Sequence, residues 1–319
     1  MIKKGIGLVV TALFVVSLSG ALGPVWAQGK TYTIAVLVKD SISPGWRMLL
    51  DGAKKEGAQR KVKVIEYAPL QVQNLEEQVR QMEDAIQKKV DAIVVAPINP
   101  QGIIPAIEKA NAAKIPVITS NSRAYGGKIE TFVGVENYDG AKKLGEYMIK
   151  KMGGKGNVIL IEGNPAGQTS QDRVKGFREA IDANVNIKLL AQQPAMFRRD
   201  TAMNVMENLL QSHPKIDLVI ALNDEMALGA VKAMEVAGRK GTLVSGFDAA
   251  PEGLEAILAK RLVATLDQDL HAQGGLAVRA AVDVLNGKKI PDWIKTGGEV
   301  VDLSNVNKIA QRIKSFSGK

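Results

Sequence analysis

The chain has 319 residues, of which 46% are hydrophobic and 24% are charged, and this ordinary globular composition argues against disorder or a fibrous repeat. It contains no cysteine and only two histidines, which excludes a disulfide framework, a thiolate metal site and a cysteine nucleophile and argues against a multi-histidine metal centre. The formal net charge of +9 comes without a long Lys/Arg run, so we interpret it as solvated surface and expect no nucleic-acid partner.

Residues 1–27 have the three parts of an export signal. Lys3 and Lys4 give a positive start, residues 6–22 are apolar and uncharged, and small residues flank a tryptophan at the junction that ends with Ala27. The alternative is an uncleaved membrane anchor, but the stretch contains glycines and a proline and no positive cluster follows it. We therefore expect cleavage after about Ala27 and a mature protein in the bacterial periplasm.

The first half of the chain alternates short β-rich runs with amphipathic helical segments, which is the pattern of a parallel α/β sheet. A helix is predicted from about Pro44, and another carries apolar side chains from Leu75 to Ile86 at helical spacing. The run at 91–96 is almost continuously apolar, as expected of a strand that helices cover on both faces. The predicted strands of this half are 33–38, 62–67, 91–96 and 116–119.

The same order of elements recurs in the second half, with strands predicted at 157–161, 186–191 and 217–221. Asp91 and Asp217 each begin a similar apolar strand, and a helix and a further strand that ends in a short polar side chain follow it. That side chain is Asn121 in the first half, 30 residues on, and Asp248 in the second, 31 residues on. A period of about 125 residues is the size of a domain, so we predict that one β/α lobe is duplicated.

The remaining segments predict that the chain crosses several times between the lobes. They comprise a helix near 251–259, a strand at 262–266, a long helix from about 271 to 285 and a short packing helix from 306. The fold class we expect is α/β, with two similar doubly wound parallel-sheet lobes joined by a multi-crossover hinge. The expected N-terminal lobe is 30–135 plus 269–297, and the expected C-terminal lobe is 136–268 plus 298–319.

Polar side chains follow the strands at the point where the two lobes would face each other. In open parallel sheets, ligands bind beyond the carboxyl ends of the strands, where the strand order reverses. Two lobes placed face to face would bring Lys39, Asn121, Asn223 and Asp248 around one cleft. Because the lobes are joined by parallel crossings, they can close over a bound molecule.

Four segments of the chain resemble those of a known family. Residues 193–197 (Gln-Pro-Ala-Met-Phe), 223–230 (Asn-Asp-Glu-Met-Ala-Leu-Gly-Ala), 246–248 (Gly-Phe-Asp) and 264–268 (Ala-Thr-Leu-Asp-Gln) are similar to the ribose-binding branch of the type I periplasmic sugar-binding proteins. The resemblance runs over nearly the whole mature chain. It implies a three-crossover hinge, a monosaccharide held between the lobes, delivery to an ABC importer, and no catalysis.

The C-terminal lobe keeps the side chains that the resemblance implies for sugar contact. Arg173, Phe197, Asn223 and Asp248 match an Arg, a Phe, an Asn and an Asp of the family, and Gln268 matches a Gln at the hinge. Planar groups with paired donors or acceptors suit vicinal hydroxyls, and an aromatic ring covers the apolar face of a sugar.

The N-terminal lobe departs from the family pattern. Lys39 stands where the family has a small polar residue, Ser43 replaces an Asn, and Trp46 replaces a Phe. The Asp-Arg pair of the family becomes Asn121 and Arg123, with the Arg shifted by one position. These five complete the predicted ligand-binding set, and their departures leave the identity of the sugar open.

Each of these residues has a plain structural alternative. Asn223 and Asp248 are both placed to cap the helices that follow them. Arg173 fits a solvated position in the first turn of a helix, and Trp46 fits a core position. Thr169 and its neighbours in a polar loop border the expected cleft, but loop composition explains them equally well.

Lys39 is the most informative departure. Its structural alternative is a surface lysine that points away from the cleft. In the cleft it would be costly to desolvate and would need a partner, such as an oxygen of a charged ligand. Lys39 and Arg123 add positive charge where the family's Asp becomes neutral Asn121, so an anionic sugar derivative or an autoinducer-2-like signal is the alternative to a neutral sugar.

Two other functional classes are weighed against a sugar-binding protein. A LacI-type repressor core shares the fold but needs a DNA-reading helix-turn-helix where this chain has an export signal. An exported α/β enzyme would need a nucleophile elbow, a metal motif or a dinucleotide fingerprint, none of which the sequence contains. We therefore expect no enzyme activity, cofactor or metal. The expected partners are the sugar and an inner-membrane ABC permease, with a chemoreceptor as a further candidate and a monomer as the default state.

Overall fold

The computed structural model describes residues 1–2 and 31–317, so the predicted export signal over 1–27 lies almost wholly outside the described residues. None of the helices described between 31 and 317 combines the length and the apolar character that a membrane span needs.

Strands and helices alternate over most of the described chain, as the sequence predicts. The strands are β1 (Thr33–Leu37), β2 (Lys63–Tyr67), β3 (Ala92–Val95), β4 (Val117–Ser120), β5 (Thr131–Gly134), β6 (Gly156–Glu162), β7 (Ile187–Pro194), β8 (Leu218–Ala221), β9 (Leu243–Ser245), β10 (Thr265–Asp267), β11 (Trp293–Lys295) and β12 (Glu299–Val301). The helices are α1 (Pro44–Gln59), α2 (Leu75–Gln87), α3 (Ile104–Ala112), α4 (Asn137–Lys151), α5 (Gln168–Asp182), α6 (Arg199–Ser212), α7 (Asp224–Val236), α8 (Pro251–Leu258), α9 (Leu270–Leu285) and α10 (Val306–Ser317).

Six parallel strands form the sheet of the N-terminal lobe, in the order β11-β5-β4-β3-β1-β2. Successive strand side chains face opposite sides of a sheet. In β1, Ile34 and Val36 therefore pack into a core shared with α1 and α9, whereas Ala35 and Leu37 pack into a core shared with α2 and α3. Burial on both faces explains why the central strands β1 and β3 are almost continuously apolar.

Helices α1 and α9 of the N-terminal lobe approach each other unusually closely. A Cβ atom added at Gly52 would lie 1.9 Å from the carbonyl oxygen of His271, and one added at Gly274 would lie 1.8 Å from that of Leu49. Two glycines thus allow backbone-to-backbone packing, and this contact holds the late helix α9 against the first helix of the chain.

Four parallel strands form the sheet of the C-terminal lobe, in the order β7-β6-β8-β9. This repeats the order β2-β1-β3-β4 of the other sheet and confirms the predicted duplication. One core, built around the strands and helices α4 to α8, fills this lobe, and Val306 and Ile309 of α10 are buried in it.

The chain passes between the two sheets three times within the described residues: from β5 to α4, from β10 to α9, and from β11 to β12. The predicted multi-crossover hinge is therefore confirmed. Strands β10 and β12 form a separate antiparallel pair at these crossings.

The strand predicted at 262–266 is wrong in its start, since β10 begins only at Thr265. The backbone N–H groups of Arg261 and Leu262 instead donate to the carbonyl oxygen of Ala256 and close the end of α8.

Candidate ligand-binding site

A cavity lies between the lobes at the carboxyl ends of both sheets. The volume open to the centre of a water-sized sphere is about 50 Å³. This is several times the ~10–15 Å³ that one water needs, so the cavity suits a small solute. Nine of the ten predicted site residues line this cavity, namely Lys39, Ser43, Trp46, Asn121, Arg173, Phe197, Asn223, Asp248 and Gln268.

Arg173, in the first turns of α5, is buried and is held by three acceptors. Its Nε donates to Asn137 Oδ1 at 2.8 Å, and one terminal nitrogen donates to the carbonyl oxygen of Leu222 at 2.6 Å and to Asp248 Oδ1 at 3.5 Å. Its guanidinium carbon lies 3.6 Å from the ring centre of Phe247. Burial lowers the pKa of Arg173 to about 10, and the charge of Asp248 opposes that shift. Arg173 is therefore buried and paired, and it is not a solvated residue in the first turn of a helix.

Asp248 stands on the loop after β9, with a positive φ of 125°. It does not cap α8, because the N-cap position is Ala250. Its carboxylate accepts from Arg173 and from Gln268 Nε2. Burial raises its pKa to about 6, against the opposing charge of Arg173. The capping interpretation of Asp248 is thus replaced by an ion pair at the cavity wall.

Gln268 links the two lobes at the hinge. Its Oε1 accepts from Asn121 Nδ2 at 3.1 Å, while its Nε2 donates to Asp248. Asn121 adopts the left-handed conformation (φ 63°), which Asn tolerates better than most residues. Four polar side chains from both lobes, running from Asn121 through Gln268 and Asp248 to Arg173, therefore form one chain of hydrogen bonds along the cavity.

Asn223 caps the helix that follows it, as its structural alternative predicts, and it also lines the cavity. It is the N-cap of α7, where its Oδ1 accepts from the N–H of Met226 at 2.9 Å. Its Nδ2 lies 3.4 Å from the carbonyl oxygen of Phe197. Capping fixes the side chain in one orientation, so the cap and a role toward a ligand are compatible.

Two aromatic side chains, one from each lobe, line the cavity. Phe197 has a left-handed backbone (φ 59°), and a Cβ atom at Gly163 would lie 2.0 Å from its ring, so this glycine makes room for the phenyl group. Trp46 lies in the first turn of α1 and also packs against the core beneath the sheet. Trp46 therefore both packs against the core and lines the cavity, and the two rings contribute to the apolar part of the cavity wall.

Lys39, two residues after the end of β1, lines the cavity and is only 3% exposed, so it is not a surface lysine that points away from the cleft. Its Nζ donates to Ser122 Oγ at 2.5 Å and to Thr169 Oγ1 at 3.4 Å, and it lies 5.5 Å from the ring centre of Trp46. Burial, followed by the charge of Arg173, lowers the pKa of Lys39 to about 7.

The loop between β1 and α1 is shaped by Asp40. One oxygen of its carboxylate accepts from the N–H groups of Ile42 and Ser43, at 3.0 and 2.7 Å, and the other accepts from the Ser43 hydroxyl. The Ser43 hydroxyl is thus engaged within its own loop, although the residue borders the cavity.

Hydrogen bonds join the lobes on the side where α5 begins. The hydroxyls of Ser122 and Thr169 lie 2.7 Å apart, and the backbone N–H of Arg123 donates to Gln168 Oε1 at 3.1 Å. The first of these contacts is buried beside Lys39. The structure therefore has the two lobes in contact, with the cavity between them.

Arg123 is the predicted site residue that the structure does not bring to the cavity. Its guanidinium carbon lies 4.1 Å from the ring centre of Phe132 and 4.6 Å from that of Trp293, at the edge of the N-terminal sheet. We leave Arg123 out of the ligand contacts proposed below.

Several lining residues were absent from the predicted set. Asp40, Gln73, Glu225 and Leu270 border the cavity, as does Thr169, which the sequence left undecided. Asp40 directly follows Lys39 at a strand end, and this position was the signal that could have found it. Over the described ranges 1–2 and 31–317, no three His, Asp or Glu side chains converge to hold a metal ion.

Comparison with known proteins gives consistent matches. A family model described as a periplasmic binding protein domain matches residues 34–289. The chain is 36% identical over 300 residues to the ribose import binding protein of Bacillus subtilis strain 168. The aligned region covers 92% of this chain and 96% of that protein.

Solved structures with the same architecture include two solute binding proteins of ABC transporters. One, from Actinobacillus succinogenes 130z with bound D-allose, is 32% identical with a TM-score of 0.83 and covers 87% of this chain and 100% of its own. The other, from Bacillus halodurans C-125 with bound myo-inositol, is 29% identical with a TM-score of 0.82, covering 90% and 99%.

Proposed function

The chain belongs to the periplasmic binding protein domain family, and from this premise we propose that it captures a monosaccharide or a closely related polyhydroxy compound between its lobes and delivers it to an ABC importer. The observation that carries the proposal is the cavity wall on which Asn121, Gln268, Asp248 and Arg173 form a continuous polar chain.

The chemistry of this wall suits vicinal hydroxyls. Each sugar hydroxyl both donates and accepts, so it is matched by a carboxylate that accepts, a guanidinium that donates and amides that do both. The rings of Phe197 and Trp46 would cover the apolar face of the sugar and exclude water, which strengthens the hydrogen bonds inside. The compounds named for the three relatives above are ribose, D-allose and myo-inositol, which share this mixed surface.

Delivery to an importer follows from closure. Both lobes contribute lining residues, so a ligand that contacts both favours the closed arrangement over an open one. We infer that the rims of the two lobes then dock together on an inner-membrane permease, and that a chemoreceptor is a second candidate partner. We also keep the division into lobes at 30–135 plus 269–297 and 136–268 plus 298–319, which the two sheets support.

The cellular location belongs to the same proposal. The relatives are periplasmic or import binding proteins, and the export pattern over 1–27 supports secretion with cleavage after about Ala27. We propose that the mature protein acts in the periplasm as a monomer, without cofactor, and that it returns its ligand chemically unchanged.

Thermal unfolding of residues 28–319 against a panel of pentoses, hexoses, polyols and sugar acids tests the proposal. Ligand carried through purification is first removed by unfolding and refolding. A true ligand at 100 times its Kd stabilises the fold by about 2.7 kcal/mol. Recovery of the ligand unchanged after incubation supports binding without turnover, whereas a flat response across the panel would contradict sugar binding itself.

A second candidate is an anionic sugar derivative or an autoinducer-2-like signal. The observation that favours a charged ligand is Lys39, a buried ammonium at the cavity wall.

A further inference from the structure

Lys39 is a buried cation whose hydrogen-bond partners among the described residues are hydroxyls and whose Nζ also lies 5.5 Å from the ring centre of Trp46. Its Nζ contacts Ser122 Oγ and Thr169 Oγ1, and within residues 31–317 no carboxylate lies within 4 Å of it. Buried charges in proteins are normally paired with an opposite charge, because hydroxyls replace only part of the lost hydration. The charge of Lys39 therefore lacks direct compensation from the described part of the protein.

The carboxylates of the cavity wall are each committed to other groups. Asp40 accepts from two backbone N–H groups and the Ser43 hydroxyl. Asp248 pairs with Arg173 and accepts from Gln268. Glu225 forms a two-point ion pair with Arg199, at 2.7 and 3.1 Å.

The resulting charge pattern is asymmetric. On the C-terminal side, Arg173 and Asp248 neutralise each other beside the amides of Asn223 and Gln268. On the N-terminal side, Lys39 in its ammonium form carries one positive charge with hydroxyls, not a carboxylate, at its Nζ. The wall therefore offers a cationic position at one end and a set of hydroxyl-binding groups at the other.

We propose that the ligand is a small polyhydroxylated monocarboxylate, a sugar acid, whose carboxylate binds Lys39 while its hydroxyls bind the side chains of the C-terminal lobe. This inference rests on the proposed function, since it names the class of ligand for the same cavity. One carboxylate matches one uncompensated ammonium. A phosphate monoester carries nearly two negative charges at neutral pH and would leave one of them without a partner.

Binding of an anion beside Lys39 should also take up a proton. In the protein alone, burial and the charge of Arg173 lower the pKa of Lys39 to about 7, while Asp248 and Asp40 act in the opposite direction. Glu225 is the further ionisable group on the wall. A carboxylate at Nζ favours the ammonium form, so the pKa of Lys39 rises in the complex and protons are bound above pH 7.

The test compares ligands that share a carbon skeleton and differ in charge. D-ribose and D-ribonate, and D-glucose and D-gluconate, are titrated calorimetrically into residues 28–319 at pH 6 and pH 8.5. The two corresponding lactones, which open to their acids in base, are titrated at pH 6 from freshly made solutions. We expect the acid of one series to bind at least tenfold more tightly than its sugar and lactone at pH 6. Its affinity should fall by up to about tenfold per pH unit above pH 7, with a heat that depends on the ionisation enthalpy of the buffer.

Variants separate charge from shape. In Lys39→Met the preference for the acid should disappear, whereas Lys308→Met, at an exposed position of α10, should keep it. If Lys39→Met does not fold, Lys39→Gln and the buffer dependence of the unchanged protein give the same decision. Equal binding of acid and lactone, or tighter binding of the neutral sugar, would overturn the inference and leave sugar binding intact. Binding of none of the six compounds, together with a flat response to the wider panel, would instead contradict the proposed function.

Discussion

The hydroxyl oxygens of Ser122 and Thr169 lie 2.7 Å apart and join the loop after β4 to the first turn of α5, from one lobe to the other. Both side chains are buried, and both are within reach of the Lys39 ammonium. The three groups therefore form one cluster between the lobes, and two of them, Lys39 and Thr169, also line the ligand cavity. A change at any of them should alter closure and ligand affinity together.

Replacing Thr169 with Val removes this interlobe hydrogen bond at nearly constant volume. A buried hydrogen bond contributes about 1 kcal/mol, so we expect the affinity for the ligand to fall roughly fivefold. Isothermal titration of the variant measures this change. Ser212→Ala, at an exposed hydroxyl of α6, is the control and should bind as the unchanged protein does. Unaltered affinity in Thr169→Val would show that the contact does not contribute to closure around the ligand.

Much of the fold could be predicted from the sequence because its buried strands are strongly apolar and because its two halves are similar. Buried strands such as β3 and β8 are short apolar runs, and the similarity between 91–95 and 217–221 revealed the duplication. The elements that escaped prediction are weak in these terms. Strand β5 begins with Thr131 and ends in Gly134, which leaves two apolar residues, and helix α4 packs through small residues such as Gly140 and Ala141.

The candidate site was predictable where a polar side chain ends a strand, as at Lys39 and Asp248. What could not be predicted is which direction a loop side chain takes. Arg123 and Asn121 are two positions apart, yet one stacks on aromatic rings outside the cavity and the other bonds to Gln268 at the hinge. The pairing of Ser122 with Thr169 likewise depends on how the lobes meet, which no local pattern encodes.

Replacing Gly52 with Ala should separate α1 from α9. The added Cβ would lie 1.9 Å from the carbonyl oxygen of His271, a backbone atom that cannot move alone. Overpacking of this kind costs about 1–3 kcal/mol, measured as the free energy of unfolding in urea. Gly275→Ala is the matched control in α9, since its Cβ would meet nothing closer than 3.4 Å. It should stabilise the helix by up to about 1 kcal/mol, and equal losses in both variants would contradict close packing as the cause.

Stability should rise with pH above neutrality because of Lys39. Its pKa is lowered to about 7 in the folded protein, whereas the unfolded chain has the ordinary lysine value of 10.5. Between these values the unfolded chain binds one more proton, so the free energy of unfolding should increase by up to about 1.4 kcal/mol per pH unit. Urea unfolding from pH 7 to 9.5, with Lys39→Met as reference, isolates this contribution. Parallel curves for the two proteins would mean that Lys39 keeps an ordinary pKa in the folded state.

Replacing Asp248 with Asn tests the ion pair at the centre of the proposed site. Arg173 would keep its bonds to Asn137 and Leu222 but lose its carboxylate partner at the cavity wall. Because a hydrogen bond to a charged group contributes about 1.5–3 kcal/mol, we expect ligand affinity to fall by roughly 10- to 150-fold. Asp182→Asn, which breaks an exposed pair with Arg178, should change neither affinity nor stability by more than about 0.5 kcal/mol.

Titration calorimetry and urea unfolding on both variants separate the two roles of Asp248. A large loss of stability with unchanged affinity would assign Asp248 to holding Arg173 alone, whereas a loss of affinity in a stable protein would place its carboxylate in contact with the ligand.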